Sequence, residues 1–151
     1  MEVHSGDQVD FANTRLAFER RLQPNVEWNI NQHLLVRLQH TKSTLTAKTG
    51  QRIYQANLSD LRVTWQFNVR SFVRFTTQRE DVERNLVMYT DPTTQAHSLT
   101  LGAQLLYAYK LNPQTVLYVG AASNGLADDR MIDVMRTNNT VFAKISYAWL
   151  R

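Results

Sequence analysis

Histidine and serine are the side chains of this 151-residue chain best suited to chemistry, because cysteine is absent. A lipid-facing hydrolytic site of the serine–histidine type needs the two side chains next to each other, with a polar group that orients the imidazole. His40 and His97 are the candidates, since both fall on the apolar parity of predicted strands. The alternation places no serine beside either of them. We therefore predict no catalytic residue and expect that the chain is not an enzyme.

The sequence also contains little that would hold a metal or a cofactor. No two histidines have the spacing of metal ligands, and His33 lies next to a predicted turn. Asp128, Asp129 and Asp133 have the composition of a cation site, but we interpret this segment as a solvated loop. No glycine-rich phosphate-binding loop occurs. We expect neither a metal nor a cofactor.

Composition excludes several classes of protein. The net charge is +4, but basic and acidic residues alternate and no Lys/Arg-rich run occurs, so we expect no nucleic-acid partner. No run of about 18 apolar residues exists, which excludes a transmembrane helix. Residues 1–10 are polar and lack the apolar core of a signal peptide, so if the protein is exported we expect this chain to be its mature form or a fragment of it.

The stretch 15–30 shows which elements must position the side chains. Its even positions are apolar except Arg20, and its odd positions are polar except Ala17. Successive side chains of a strand point to opposite faces, so this alternation predicts a strand with one apolar face. Sixteen extended residues span roughly 50 Å. Ordinary strands have about 5–6 residues, whereas a tilted membrane-spanning strand needs about 9–11.

Similar alternation continues to the C-terminus and predicts eight strands. Tight turns are expected at Asn31, Asn68 and Asn112, each preceded by a related aromatic–polar–apolar pattern, and longer polar loops are expected at the opposite end. The apolar parity changes along the strand that contains Ser59. This change predicts either a bulge near Ser59 or an upper end of the strand that lies above the lipid.

Aromatic side chains near the tight turns and the C-terminus indicate whether the apolar face contacts a protein core or lipid. A soluble core would spread its aromatic residues along its length, whereas a membrane barrel concentrates them at the membrane–water interface. Short turns at one end and longer loops at the other are also typical of outer-membrane barrels. We predict an aromatic girdle formed by Trp28, Trp65, Phe67, Tyr107, Tyr109, Tyr147 and Trp149.

The opposite parity carries charges of both signs and favours arginine. Charges inside a barrel must be paired, because an unpaired buried charge is very costly. The planar guanidinium group suits such pairing. The alternative is an ordinary solvated face. We predict a lumen charge network formed by Arg15, Glu19, Arg21, Glu27, Arg37, Asp60, Arg62, Arg74, Glu80, Lys110 and Lys144.

The C-terminal stretch Lys-Ile-Ser-Tyr-Ala-Trp-Leu-Arg, residues 144–151, resembles the terminal strand signal that the outer-membrane assembly machinery reads. It departs from the common form because Leu150 and Arg151 follow the aromatic residue. The stretches 61–68, 71–75 and 109–120 resemble the C-terminal barrel of a large Gram-negative family in which a carbohydrate-binding-module-like domain precedes an outer-membrane β-barrel. This resemblance implies that the chain is the last part of a longer protein, and it brings no catalytic residues.

These observations predict an all-β protein, an eight-stranded antiparallel up-and-down transmembrane β-barrel with short periplasmic turns and longer extracellular loops. The barrel would form a single domain, residues 1–151, in the outer membrane. Side chains just fill the interior of an eight-stranded barrel, so we predict a plugged lumen and a role as a membrane anchor or structural module. The expected partners are outer-membrane lipid and lipopolysaccharide, together with the assembly machinery that would read the C-terminal strand.

Three alternatives remain open. A loose plug, or incorporation into a larger porin-like barrel, would give a narrow outer-membrane channel. A soluble lipocalin-like carrier of an apolar ligand would show the same alternation, with its apolar side chains inside. A lipid-facing enzyme would depend on His40 or His97.

Overall fold

The computed structural model describes residues 1–128 and 135–148, without the side chain of Asp128. Asp129 and Asp133, which the sequence analysis interprets as part of a solvated loop, and the predicted girdle residue Trp149 therefore lie outside the described residues. The chain is all-β. Its strands are β1 (Glu2–Asp10), β2 (Arg15–Gln23), β3 (Asn25–Asn29), β4 (Leu34–Ala47), β5 (Arg52–Asn68), β6 (Ser71–Arg84), β7 (His97–Asn112), β8 (Thr115–Asp128) and β9 (Met135–Tyr147).

All nine strands form one antiparallel sheet in which neighbours in sequence are neighbours in space. Both β2 and β3 pair with β4, because Pro24 interrupts what is otherwise one long strand. Proline has no backbone N–H to give to a ladder, but its carbonyl still accepts the His40 N–H at 3.0 Å. The structure therefore has nine strands where eight were predicted. Because β2 and β3 both lie beside β4 and together form one interrupted strand, here called one ribbon, the sheet consists of eight ribbons.

The sheet is open. Within residues 1–128 and 135–148, β1 and β9 pair only with β2 and β8 and not with each other. The antiparallel, up-and-down part of the predicted fold is confirmed, whereas a closed barrel is not seen. Each edge strand consequently presents one row of backbone groups without a ladder partner.

The strand that contains Ser59 has no bulge there, so the first of the two alternatives predicted for the change of parity is wrong. Ser59 pairs with His40 on one side and with Arg79 on the other, in continuous register. The irregularity of the β4–β5 ladder lies further along, between Leu45 and Thr46. The apolar residues at even positions of β5, such as Ala56 and Leu58, therefore lie on the opposite face from Leu61 and Val63. The strand continues toward the loop end beyond the stretch in which the odd positions are apolar.

Three connections meet at one end of the sheet, here called the turn end: residues 30–33, 69–70 and 113–114. Asparagines initiate them as predicted, since Asn31 Oδ1 accepts the N–H groups of His33 and Leu34, and Asn68 Oδ1 accepts those of Arg70 and Ser71. These are Asx-type turns, in which the side chain replaces a backbone acceptor.

The opposite end, here called the loop end, contains the connections 11–14, 48–51 and 85–96. Among these, 85–96 is longer than the turns at the other end, and it includes a 3₁₀ turn, Leu86–Met88. Much of the sequence expected in loops instead extends the strands, so that β5 is 17 residues long. No helix in the described part of the chain is long and apolar enough to cross a membrane.

A small apolar cluster lies at the loop end. Ala17, Leu45, Ala47 and Ile53 are buried, and Met88 and Tyr89 of the 85–96 connection pack against them. Polar contacts hold this connection in place: Arg15 Nη2 donates to the Met88 carbonyl at 2.9 Å, and the Thr90 N–H donates to Asn13 Oδ1 at 3.3 Å. The connection therefore reaches from β6 across the sheet to the β1–β2 turn.

Ile53 is fully buried in this cluster, at 0% exposure. We expect Ile53→Ala to lower the free energy of unfolding by about 2–4 kcal/mol, because the substitution removes buried methyl groups and leaves a cavity. Denaturant titration of the parent chain and the variant, in the solvent in which the parent chain folds, measures this loss of unfolding free energy. Val87, on the same connection, is 87% exposed, so Val87→Ala should change stability by less than about 0.5 kcal/mol. Equal losses for the two variants would contradict the assignment of this cluster as the core.

Candidate functional site

The strand register assigns every paired side chain to one of two faces, because residues directly opposite each other in a ladder point the same way. The apolar face includes the row Trp28, Val36, Val63, Phe75, Leu105, Ala121 and Val141. The polar face includes the adjacent row Glu27, Arg37, Arg62, Thr76, Gln104, Ala122 and Thr140. The alternation seen in sequence thus continues across seven strands.

The two faces differ in burial. The buried side chains of β1, β2 and β4 all belong to the polar face: Asp10, Ala17, Glu19, Ser43, Leu45 and Ala47. The apolar face is uncovered, with Trp28 62% exposed and Val141 81% exposed. In β1, β2 and β4 the polar face is therefore the more buried side, and the apolar face has no protein layer over it among the described residues.

All eleven residues of the predicted lumen charge network lie on the polar face, as the register shows. Arg21 pairs with Glu19 at 2.8 Å, and Arg37 pairs with Glu27 at 2.7 Å. Within the described residues, the remaining members except Arg15 form no ion pair: Asp60, Arg62, Arg74, Glu80, Lys110 and Lys144. The charges share a face, but their ion pairs are local and do not form a continuous network.

Two buried polar residues at this face are absent from the sequence-based list. Asp10 is 4% exposed and accepts from Arg15 Nε and Asn13 Nδ2, both at 2.8 Å. Ser43 donates to Glu19 Oε1 at 2.7 Å. The Ser43–Glu19 contact joins residues 24 apart in sequence, and alternation alone gives no sign of it. Knowing how β2 and β4 align would have revealed it.

Of the predicted girdle residues, Trp28, Trp65, Tyr107, Tyr109 and Tyr147 lie on the apolar face at the turn end. Phe67 lies next to them at the register shift between Gln66 and Asn68, and Trp149 is outside the described residues. Four of these residues follow an oblique line through the sheet: Trp28, Trp65, Tyr109 and Tyr147 occupy β3, β5, β7 and β9. Each is displaced by two residues toward the turn end relative to the one before it. One residue per strand is about 3.3 Å along for about 4.8 Å across, so the line makes an angle of about 35° with the hydrogen-bonded rows.

The apolar band is the part of the apolar face between this aromatic line and the first charged or amide side chains toward the loop end. Those side chains form a second oblique line. Moving from Trp28, Trp65 and Tyr147 toward the loop end, the first charged or amide side chains of the same face are Arg20, Asn57 and Asn139, respectively. Each is eight residues from its aromatic partner in sequence. Strand β7 is the exception, since Leu101 and Leu99 extend its apolar stretch. Eight residues span about 26 Å along a strand, or about 22 Å perpendicular to the two lines.

One serine does stand beside a histidine, contrary to the sequence-based expectation. Ser59 Oγ lies 2.9 Å from His40 Nδ1, on the apolar face near the limit of the band. His97 Nε2 instead lies 2.9 Å from Asp81 Oδ1, and Arg79 binds the other oxygen of that carboxylate at 2.8 Å. Sequence reasoning missed Ser59 because alternation assigns residues to faces but does not align β4 with β5, and only that alignment places Ser59 opposite His40.

Glu19 lies on the loop-end side of Arg20, outside the apolar band. Burial raises the pKa of its carboxyl, but hydrogen bonds from Ser43 and Arg21, together with the charge of Arg21, outweigh burial and leave the pKa below its ordinary value. The ionised carboxylate is thus favoured in the folded chain. Its contribution to stability is present above the pKa of the unfolded state and is lost as the pH falls through the folded-state pKa.

We expect Glu19→Gln to be less stable than the parent chain by about 1–3 kcal/mol at neutral pH, because Arg21 and Ser43 lose a charged acceptor. The difference should shrink as the pH is lowered into the range where glutamate protonates. Unfolding free energies measured across that range test this. Glu80→Gln serves as the control, since Glu80 is on the same face without an ion pair within the described residues. A difference that is independent of pH would rule out the linkage.

Comparison with known proteins gives no external assignment for this geometry. No protein-family model matches the chain, and no curated protein and no solved structure was found to be similar to it. The resemblance to a Gram-negative barrel family therefore stays a prediction. A functional assignment for the chain has to rest on the two faces of the sheet, their boundaries and their charges.

Proposed function

We propose that the chain is a membrane-spanning β-barrel region of an outer membrane and acts as an anchor or structural module. Lipid would contact the apolar face, while the polar face would line a filled interior. The loop end would lie outside the cell and the turn end in the periplasm. Outer-membrane lipid and lipopolysaccharide are the proposed partners, and the assembly machinery would engage the C-terminal strand, of which β9 is the described part.

The oblique aromatic line is the observation that carries this proposal. Strands of membrane barrels are tilted by about 35–45°, so a plane parallel to the membrane must cross the hydrogen-bonded rows at a comparable angle. Trp28, Trp65, Tyr109 and Tyr147 follow a line at about 35° to those rows. The height of about 22 Å between the two lines is close to the apolar band of about 25 Å in outer-membrane barrels.

Closure is the second part of the proposal. An open sheet cannot stay in hydrocarbon, because its edge groups would have no hydrogen-bond partner there. The eight ribbons alternate in direction, so β1 and β9 run antiparallel and can pair as neighbours in a barrel do. Pairing within one chain gives the smallest barrel, whose interior side chains would fill. Unboiled protein refolded in detergent should then migrate differently from boiled protein on a gel.

A soluble carrier fits the surface area less well. The accessible surface of the chain is 10714 Å², whereas a water-soluble monomer of 17.5 kDa exposes about 7,900 Å². A carrier would place its tryptophans and leucines inside, yet Trp28, Leu38 and Leu105 lie on the exposed face. The exposure of these large apolar side chains on one continuous face favours a lipid environment over water.

Neighbouring residues on opposite faces of β7 provide a direct test. We expect Leu105→Lys to lower the free energy of unfolding in lipid vesicles by about 2–4 kcal/mol, because it puts a charge on the lipid-facing side. Gln104→Lys, on the polar face one residue away, should cost less than about 1 kcal/mol. Denaturant titration of vesicle-inserted protein, followed by tryptophan fluorescence, measures both. A larger loss for Gln104→Lys, or a stable monodisperse parent chain in plain buffer, would refute the proposal.

The His40–Ser59 pair favours a second candidate, a hydrolase acting on lipid esters at the membrane surface. The histidine could serve as a base for the serine hydroxyl, and Arg79, opposite Ser59, could attract a phosphate group. Within the described residues, however, no acidic or amide side chain forms a hydrogen bond that orients His40, and Arg79 is already bound to Asp81. The anchor role is therefore the preferred proposal.

The two candidates differ in a simple measurement. The anchor proposal predicts no release of fatty acid from phospholipid vesicles and no covalent labelling by a serine-directed phosphonate. Labelling of the parent chain that is lost in Ser59→Ala, with Ser98→Ala as the control, would establish the hydrolase instead. Ser98 lies on the polar face, where it accepts a hydrogen bond from Arg84.

A further inference from the structure

Three arginines occupy neighbouring positions on the polar face in the middle of the sheet. Arg37 of β4 and Arg62 of β5 are directly opposite each other in the ladder. Arg74 of β6 pairs with Thr64 and is therefore the diagonal neighbour of Arg62. Directly opposite side chains on one face lie about 4.5–5.5 Å apart at Cβ and diagonal ones about 7–8 Å, within reach of long side chains. The three side chains therefore start from one small region of the polar face.

The carboxylates around this region leave it positively charged. Glu27 Oε2 accepts from Arg37 Nε at 2.9 Å and from Arg37 Nη2 at 2.7 Å, so one charge is compensated. Asp60 is two residues from Arg62 on the same face, but it forms no ion pair within the described residues. Even if Asp60 is counted, three cations face two anions.

Arg62 also has an unused donor. Its Nε is buried and has no hydrogen-bond partner in the part of the chain that the structure describes. A buried donor without a partner costs about 1–3 kcal/mol, and like charges directly opposite each other add to this cost. Arg74 contributes a second guanidinium group, held over the ring of Phe72 at 5.0 Å and 3.4 Å from Thr64 Oγ1.

We propose that Arg62 and Arg74, with Arg37 beside them, bind a small oxyanion such as phosphate, sulfate or a carboxylate group. A planar guanidinium group binds two oxygens of such an anion side by side, and the anion would satisfy Arg62 Nε and offset the unpaired charge. Thr76 and Gln104 continue the same row and supply neutral donors. Glu27 competes with the anion for Arg37. This inference does not depend on insertion into a membrane.

Inorganic phosphate is the probe, added to the full chain in whichever solvent it folds. We expect phosphate to raise the unfolding midpoint in a saturable way, more than sodium chloride at equal ionic strength does. Arg62→Gln should weaken phosphate binding by about tenfold or more, which corresponds to the loss of a charged hydrogen bond. Isothermal titration calorimetry gives the dissociation constants.

Two further variants distinguish a binding site from general charge effects. Glu27→Gln should strengthen phosphate binding several-fold, because it releases Arg37, whereas a purely structural role for the Glu27–Arg37 pair would not change phosphate affinity. Lys110→Gln removes a cation from another part of the same face and should leave affinity unchanged. Equal effects of chloride and phosphate, or equal effects of Arg62→Gln and Lys110→Gln, would overturn the proposal. Neither result would affect the membrane proposal, which is tested by other variants.

Discussion

Cross-strand hydrogen bonding is the constraint on which the structure depends. The ladders run in continuous register over most of their length, so each side chain keeps the face that its position in the chain assigns to it. A shift by one residue in any ladder would move the apolar side chains of that strand to the polar face. Few other contacts could prevent such a shift, because the buried core is limited to a small cluster at the loop end. The register of the ladders therefore determines which face of the sheet each side chain occupies.

The two ends of the sheet are stabilised in different ways. At the turn end, asparagine side chains replace backbone acceptors in short turns, and the exposed surface is apolar and aromatic. At the loop end, the strands continue beyond the apolar band, where Lys42, Arg79 and Glu83 appear on the formerly apolar face. The same strands therefore pass from a surface suited to hydrocarbon to one suited to water. This axial change of polarity distinguishes the sheet from a uniformly amphipathic one.

Alternation in the sequence predicted the strands and the face of the eleven charged residues of the predicted network, because both follow from a period of two. The antiparallel order was predicted from the tight turns. It did not predict the break at Pro24 as a strand boundary, since the parity continues unchanged through that residue. Alternation also did not predict the side-chain contacts between strands. The Ser59–His40 and Ser43–Glu19 contacts depend on how two strands align, and many alignments preserve the same alternation. The 85–96 connection was expected as a polar loop, but the packing of Met88 against the buried cluster at the loop end depends on three-dimensional proximity.

That connection has a mechanical consequence. Met88 and Thr90 of this connection bind Arg15 and Asn13, so β2 and β6 are joined both by the intervening ladders and by these direct contacts. The β1–β2 turn and β6 therefore cannot separate without breaking these contacts. Among the described residues, the main contacts of β8 and β9 with the rest of the sheet are those of the β7–β8 and β8–β9 ladders. If β1 and β9 pair as proposed above, we expect β8 and β9 to move toward β1, because additional contacts hold the part of the sheet from β1 to β6 together.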